Sequence, residues 1–450
     1  MLFRSGRIEA AHIGNDRTHE FYWHVASTID PQSVRHVVDE HAQRVLELFE
    51  FGQPPHLDAE IWGHWRHPEQ VGVRVAVLAT NFSFRAEHVD EFISFLEYSN
   101  KVLRLTDPRG RIGQQQVSAS SVVADFVAEK VFLTNGYSTA DPQMVARAIG
   151  PGVSRAVEPY QFLRPPVAHV NGIIPMRRLE DADIQFDISG GPFHWWKFNL
   201  AEASARINWT GMKLTLNDTR ASFYGGVATG SAGFDFNREN GTDYRFVFFT
   251  TNTQIKLLMA DLTGRTNNPE GFLSGNLIVT KASSVDSKAI EGHGGFMLRD
   301  GLIWAIPMFG VLSPALDSVV PGLGSSRATA ATGRFVIRNG VVRSDDLEIR
   351  SPAMRLEYRG SVDLEGHLNA RVEAELLRDM WLVGPVVSTV LWPVTKLFEY
   401  KVTGMLGQPK IEPLYFVPKL VLMPFHPLRA LKELIPEEPA AVTNAPSRVQ

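Results

Sequence analysis

The sequence predicts a mainly β protein: a long antiparallel sheet with one apolar face, built from repeats, with short helices. Three observations predict it. Apolar and polar residues alternate strictly in the C-terminal third. Leu356, Tyr358, Val362 and Leu364 interleave with Glu357, Arg359, Ser361 and Asp363; past a turn at Glu365-Gly366, Leu368, Ala370, Val372 and Ala374 interleave with Asn369, Arg371 and Glu373. Successive side chains of a strand point to opposite faces, so this hairpin has an oily face and a wet one. Turn pairs punctuate the chain, Gly225-Gly226 and Asn339-Gly340 among them, of the kind that tight two-residue hairpins require. Landmarks also recur at a fixed offset, the signature of a repeat. Such a sheet must cover its oily face with another sheet, with helices, or with a ligand that is itself a hydrocarbon.

The N-terminal residues Phe3, Ile8 and Ala10 read as part of a strand, and no apolar core of signal-peptide length precedes them. The expectation is a chain that begins inside a fold, its start misplaced or an upstream segment missing. Asp30-Pro31-Gln32, Asp141-Pro142-Gln143 and Asn252-Thr253-Gln254 follow one another at intervals of 111 residues. Each opens a short helical pattern with Asp or Asn at the N-cap, and Pro stands in the first turn twice. The second and third helices are expected to end at Gly150 and Gly264. Leu103-Arg104-Leu105-Thr106-Asp107 is matched 111 residues later by Leu214-Thr215-Leu216-Asn217-Asp218, while the third copy is looser, its Asn339-Gly340 turn falling 114 residues beyond Gly225-Gly226. The predicted organisation is therefore β-rich repeats over 1–140, 141–251 and 252–376, apolar and amphipathic C-terminal segments read as helical over 377–435, and a disordered tail over 436–450. A unit with one oily face cannot bury it alone, so stacked neighbours extend the sheet.

Composition narrows the function. A net charge of -4 gives no basic field for nucleic acid. The absence of cysteine excludes disulfides, thiolate zinc sites and a cysteine nucleophile. No stretch reaches the ~20 apolar residues of a membrane helix.

No catalytic constellation converges, and the expectation is a protein that is not an enzyme and has no cofactor. The histidines crowd before residue 68, but His36 and His41 are five apart and His64 and His67 flank Trp65-Arg66 in a loop, a poor metal geometry. Gly292-His293-Gly294-Gly295 and Pro321-Gly322-Leu323-Gly324 lack the P-loop spacing and lysine. Asp345-Asp346 are strand neighbours that point to opposite faces unless a bulge intervenes, and read as a strand-end pair facing water. There is no GxSxG elbow.

The C-terminal segments carry more signal. Trp381 to Pro393 is apolar nearly all round, and Leu414 to Phe425 follows. Trp381, Trp392 and Tyr415 have rings suited to a membrane interface, with Phe416 and Phe425 as apolar contacts and Lys419 beside Lys410, Arg429 and Lys432 for anionic headgroups. A helical plug closing the end of the sheet explains the same residues, and one segment can do both.

Several of these stretches resemble the C-terminal region of the AsmA family. They are Gly294-Gly295-Phe296-Met297-Leu298-Arg299-Asp300-Gly301, Ile306-Pro307-Met308-Phe309-Gly310, Phe335-Val336-Ile337-Arg338-Asn339-Gly340 with Asp345-Asp346-Leu347-Glu348-Ile349, Gly360-Ser361-Val362-Asp363-Leu364, and Tyr400-Lys401-Val402-Thr403-Gly404. The resemblance runs from about Asn252 to Pro413 and is general upstream. It implies an elongated, twisted sheet rolled into an open groove with an apolar interior. It also implies a bacterial envelope protein of the periplasm, membrane-associated, that carries phospholipid between inner and outer membranes, its C-terminal end towards the outer membrane. Members of the family usually have an N-terminal inner-membrane helix, and no stretch of this sequence is expected to supply one.

An apolar lining shelters acyl chains at roughly 0.8 kcal/mol per buried CH₂, and downhill sliding needs no catalytic residue. Strands about 4.8 Å apart, some 16 to 20 of them, stack to roughly 75 to 95 Å, which is short for a full periplasmic bridge. The expected groove lining is Phe335, Ile337, Leu347, Ile349, Leu356, Tyr358, Val362, Leu364, Leu368 and Val372. The expected partners are phospholipids, a membrane surface and other envelope proteins. The rival reading is a periplasmic scaffold for outer-membrane assembly whose oily face is covered by protein.

Overall fold

The computed structural model describes residues 6–37, 40–150, 154–155, 157–158, 160–195, 197–236, 241–264, 270–301, 330–351, 354–376, 396–405 and 408–416. They are mainly strands with a few short helices, as the alternation predicts. The chain divides into two units, Met1–Thr266 with Ser274–Gly292, and Asn267–Leu273 with His293–Gln450.

The first unit carries β1 (Ile8–Asn15), β2 (Glu20–Ser27), β3 (Phe49–Phe51), β4 (His56–His64), β5 (His67–Phe84), β6 (Glu87–Ser99), β7 (Val102–Ile112), β8 (Gln115–Ser118), β9 (Ser121–Asp125) and β10 (Lys130–Ser138). It continues through β11 (Tyr160–Phe162), β12 (Val167–Pro175), β13 (Asp183–Gly190), β14 (Phe193–Trp195), β15 (Phe198–Leu200), β16 (Glu202–Thr210), β17 (Lys213–Phe223), β18 (Gly226–Asp235) and β19 (Asp243–Gln254) to β20 (Phe272–Ser283). The main ladder runs β1-β2-β4-β5-β6-β7-β9-β10-β12-β13-β16-β17-β18-β19, antiparallel at every step. Strands β11, β14 and β15 make a separate small sheet.

The repeat has a structural counterpart. Asp107 and Asp218 both adopt left-handed backbone, with φ of 47° and 50°. Each lies where the ladder slips past an extra residue, in β7 against β6 and in β17 against β16. A bulge of this kind needs a residue that tolerates positive φ, which Asp does better than most.

The three helical openings behave differently. Asp30 Oδ1 accepts from Gln32 N at 3.0 Å and starts a 3₁₀ turn over Pro31–Val37, followed by α1 (Glu40–Leu46). Asp141 caps α2 (Pro142–Ile149) through Gln143 N at 3.0 Å. Asn252 is not a cap: it stays in β19 with φ 55°, and Gln254 stands at the N-cap of α3 (Ile255–Thr263) without a side-chain bond. The sequence offset holds there, but the strand continues through Asn252 and Thr253 before the helix begins. Gly150 and Gly264 end α2 and α3 as expected.

The second unit carries β21 (Glu291–Arg299), β22 (Ala330–Arg338), β23 (Val341–Arg350), β24 (Met354–Asp363), β25 (His367–Leu376), β26 (Lys396–Met405) and β27 (Gln408–Phe416). Strands β22 to β27 form an antiparallel meander. Within 377–435, where the apolar segments are expected to be helical, Lys396–Met405 and Gln408–Phe416 form a β-hairpin, and its 400–410 stretch is one that carries the family resemblance. Tyr400, Val402 and Gly404 alternate there with Glu399, Lys401 and Thr403, a period of two that outweighs the apolar content of the stretch.

Two turns also differ from the expected ones. The β17–β18 loop is Tyr224-Gly225, one residue earlier than Gly225-Gly226, with φ of 49° and 79°. The β24–β25 loop holds Leu364 as well as Glu365-Gly366, so Leu364 leaves the alternation and is 54% exposed.

Candidate functional site

Residues directly opposite in an antiparallel ladder share a face, so the pairings show which side chains align. In the first unit one row crosses the whole ladder. It passes from Ala10 through Val25, Ala59, Val75, Leu96, Leu105 and Val122 to Leu133. It goes on through Gly172, Ile184, Trp209, Leu214 and Phe234 to Tyr244. No charged residue interrupts it. A parallel row, Val170-Phe186-Ile207-Leu216-Ala232-Phe246, flanks its later half. Trp23-Ile61-Val73-Tyr98-Leu103 flanks its earlier half.

The burial of the central row is uniform. Ala10 is exposed and every other member is half-buried, none of them fully covered. Side chains on a sheet shield one another laterally, and a second layer would drive such residues to near-zero exposure. On the opposite face Glu60, Arg74, Glu97 and Arg104 align across β4 to β7, with Arg74 3.2 Å from Glu60 and 3.6 Å from Glu97, and Leu78, Ile93 and Phe95 are exposed on that face too. The expected lining residues all lie in the C-terminal third, so this track escaped the sequence reading. Its signal was the same alternation, repeated in Leu103-Arg104-Leu105 and Val73-Arg74-Val75.

In the second unit the oily face resolves into four rows across β23 to β26. They are Val342-Val362-Leu368-Gly404, Ser344-Gly360-Ala370-Val402, Leu347-Tyr358-Val372-Tyr400, and Ile349-Leu356-Ala374. The last two rows are closed, with Ile349 1% exposed and Leu356 and Val372 at 0%. Burial pushes the Tyr358 hydroxyl well above the ordinary tyrosine range. The first two rows, apart from Val402 at 1% exposure, are less covered and floor a cleft of about 150 Å³. Gly360, Ala370 and Ser344 are short, so the hollow forms above them, walled by Phe296, Phe335, Val342, Tyr358, Val362 and Leu368. An apolar cavity of about 150 Å³ accommodates a benzene-sized group, which is also a short stretch of acyl chain.

Of the ten expected lining residues, Phe335, Leu347, Tyr358, Val362 and Leu368 meet at this cleft. Ile337, Ile349, Leu356 and Val372 are buried beside it. Leu364 stands apart in the turn. Among the expected membrane contacts, Tyr415 and Phe416 pair with Glu399 and Phe398 in the β26–β27 hairpin. Trp381, Trp392, Lys419 and Phe425 lie outside the described residues.

The wet face of this unit carries ion pairs. Arg355 contacts Glu357 and Glu348, Arg359 reaches Glu357 at 2.9 Å, and Arg371 reaches Glu399 at 2.8 Å. Asp345 and Asp346 do not end a strand: they form the bulge of β23 between Ser344 and Leu347. Each takes its own arginine. Asp345 lies 3.1 Å from Arg343, while Asp346 accepts from the Arg334 backbone and guanidinium, both at 2.8 Å. Burial works against the charged form of Asp346, but these Arg334 bonds prevail and hold its carboxyl below the usual range. Asp363, Glu365 and His367 cluster at the β24–β25 turn. There Asp363 accepts the N–H groups of Glu365 and His367 at 3.0 and 2.8 Å, which closes the turn. His64 and His67 face each other at the ends of β4 and β5, around the turn Trp65-Arg66.

No family model, curated protein or solved structure matches this chain. Among the described residues no helix is long and apolar enough to cross a membrane.

Proposed function

We propose that the protein binds lipid acyl chains along an apolar β-sheet face and conducts phospholipid between the inner and outer membranes of a bacterial envelope. The observation that carries this reading is the uncovered row from Ala10 to Tyr244. An apolar path of that continuity, with its side chains still partly in water, is costly unless something oily lies on it. Each methylene that settles there gains roughly 0.8 kcal/mol, and headgroups stay in water at the edge. Equivalent rungs follow one another every 4.8 Å or so, so a chain that slides exchanges one set of contacts for a similar one. No step needs a reactive group. A periplasmic, membrane-associated location follows from the same reading, as does contact of the C-terminal end with the outer membrane.

The scaffold reading draws on a different observation: the rows through Leu356 and Val372 are already covered. Native mass spectrometry of detergent-free protein separates the two. The conduit reading expects phospholipid to co-purify. A protein that carries none, and still supports envelope assembly when delipidated, is a scaffold.

A further inference from the structure

We propose that a polar cleft on β6, β7 and β8, on the face turned away from the apolar track, binds the zwitterionic headgroup of a phosphoethanolamine lipid, whose acyl chain lies on the exposed patch beside it. The site is separate from the track and does not require that lipid is conducted.

The ladder sets the composition of this face. Leu78, Ile93, Arg109 and Ser118 stand opposite one another across β5 to β8, and Glu91, Arg111 and Gln116 form the next row. The bulge at Asp107 bends β7 beside them. There a cleft of about 470 Å³ opens, its lining including Glu91, Asp107, Arg109, Arg111, Gln116 and Ser118. That size is ordinary for a small-molecule site. Leu78, Ile93 and Phe95 adjoin it, 37%, 46% and 56% exposed.

The second repeat supplies an internal comparison. An offset of 111 carries Leu78, Ile93, Phe95 and Arg109 onto Ser189, Ser204, Arg206 and Arg220, and the cross-strand pairings are retained. In that copy Arg206 lies 3.2 Å from Asp187 and 3.1 Å from Asp218, so the acids are neutralised from within. In the first copy Ala76 stands in place of Asp187 and Phe95 in place of Arg206. Among the described residues Asp107, the counterpart of Asp218, has no arginine partner, and Arg109 forms no ion pair. Where one copy has two serines and an arginine, the other exposes three large apolar side chains next to two unpaired charges. Apolar surface and unpaired charge side by side in water suit an amphiphile.

The charges choose the headgroup. Arg109 and Arg111 are balanced by Asp107 and Glu91, with Arg111 3.9 Å from Glu91, so the cleft has no net charge. A bare anion meets both carboxylates, and a bare cation meets both arginines. A ligand that carries both signs satisfies each. The guanidinium fork matches phosphate oxygens, and the carboxylates accept the N–H groups of a primary ammonium. A quaternary ammonium has no N–H to donate, so ethanolamine fits better than choline.

Glycerophosphoethanolamine probes the headgroup alone, since it has no tail to lay on the track. In calorimetry at low salt, where exposed charges are least screened, it should bind the full chain, and Arg109→Ala should weaken it about tenfold or more. Inorganic phosphate and glycerophosphocholine should each bind about tenfold more weakly than glycerophosphoethanolamine. Phe95→Arg installs the residue of the second repeat, and in native mass spectrometry this variant should hold one lysophosphatidylethanolamine fewer than the native chain. Both substitutions fall on exposed side chains, so far-UV circular dichroism should be unchanged. Absence of glycerophosphoethanolamine binding overturns the proposal, as does binding that ignores Arg109→Ala. Phosphate that binds as well marks a plain anion site, and glycerophosphocholine that binds as well removes the ethanolamine assignment. A lysophosphatidylethanolamine count unaltered by Phe95→Arg marks a site for a free zwitterion and overturns the lipid assignment. None of these outcomes depends on whether the track conducts lipid.

Discussion

Leu356 and Val362 stand on one strand and one face, yet they meet different surroundings. Leu356 is wholly covered, while Val362 walls the cleft. Truncating a buried leucine costs its transfer energy plus the cavity left behind. Leu356→Ala should therefore lose about 2–5 kcal/mol in urea unfolding. Val362→Asp should unfold close to the parent and lose lipid transfer, because the carboxylate hydrates in the open cleft and repels an acyl chain there. Equal destabilisation by both would mean that the division into closed and open rows is wrong. The strand period, identical at both positions, was plain in the sequence. Which of the two is covered depends on what packs above them, and no local pattern encodes that. Asp345 and Asp346 make the same point: their adjacency was visible, but the bulge that sends each to its own arginine was not.

Among the elements, α3 shows how a short helix is held to the sheet. The β17–β18 hairpin ends in a small core of Phe223, Tyr224 and Ala228, with Phe198, Leu200, Phe248 and Leu258 against it. Tyr224 donates its hydroxyl to Asp261 at 2.6 Å, and Asn199 Nδ2 donates to the same carboxylate oxygen at 2.8 Å. Burial first, and the Asp261 bond second, raise the Tyr224 hydroxyl from 10.0 to about 12. A raised pKa means that the folded state resists deprotonation that the unfolded chain undergoes freely. The contribution of Tyr224 is thus complete below pH 10, declines between pH 10 and about 12, and is gone above. Tyr224→Phe should flatten that part of the alkaline fall, measured as urea midpoint against pH. An unchanged profile would show that the hydroxyl does not hold the helix. The helix and its end at Gly264 were readable because C-terminal glycines are local, but its N-cap, expected at Asn252, stands at Gln254. Its tether joins residues 37 apart and needed the tertiary structure.

For the molecule as a whole, the consequential feature is that alternation in many separate strands falls into register. Leu105 lies on the apolar row and Arg104, its neighbour, faces the other way. Leu105→Asp should abolish transfer of a fluorescent phospholipid between donor and acceptor vesicles, whereas Arg104→Asp should leave it near the parent rate. If both variants transfer lipid alike, the row is not the path. The same face-switching makes a one-residue slip costly, since it would expose the whole apolar set of a strand at once. The bulges at Asp107 and Asp218 lie beyond Leu105 and Leu214 in their strands, so the pairs that carry the row sit to one side of each.

The class of fold, most hairpins and the existence of an oily face were legible in short stretches of residues, because alternation and turn chemistry are local, and the repeat showed in landmarks 111 residues apart. Where that face is shut and where it stays open, and that the rungs of the first unit join into a single track, emerged from the folded structure. Those outcomes depend on register between strands far apart in the chain and on the volume left above short side chains such as Gly360 and Ala370. Both arise when strands pair and side chains pack, not from any one strand alone.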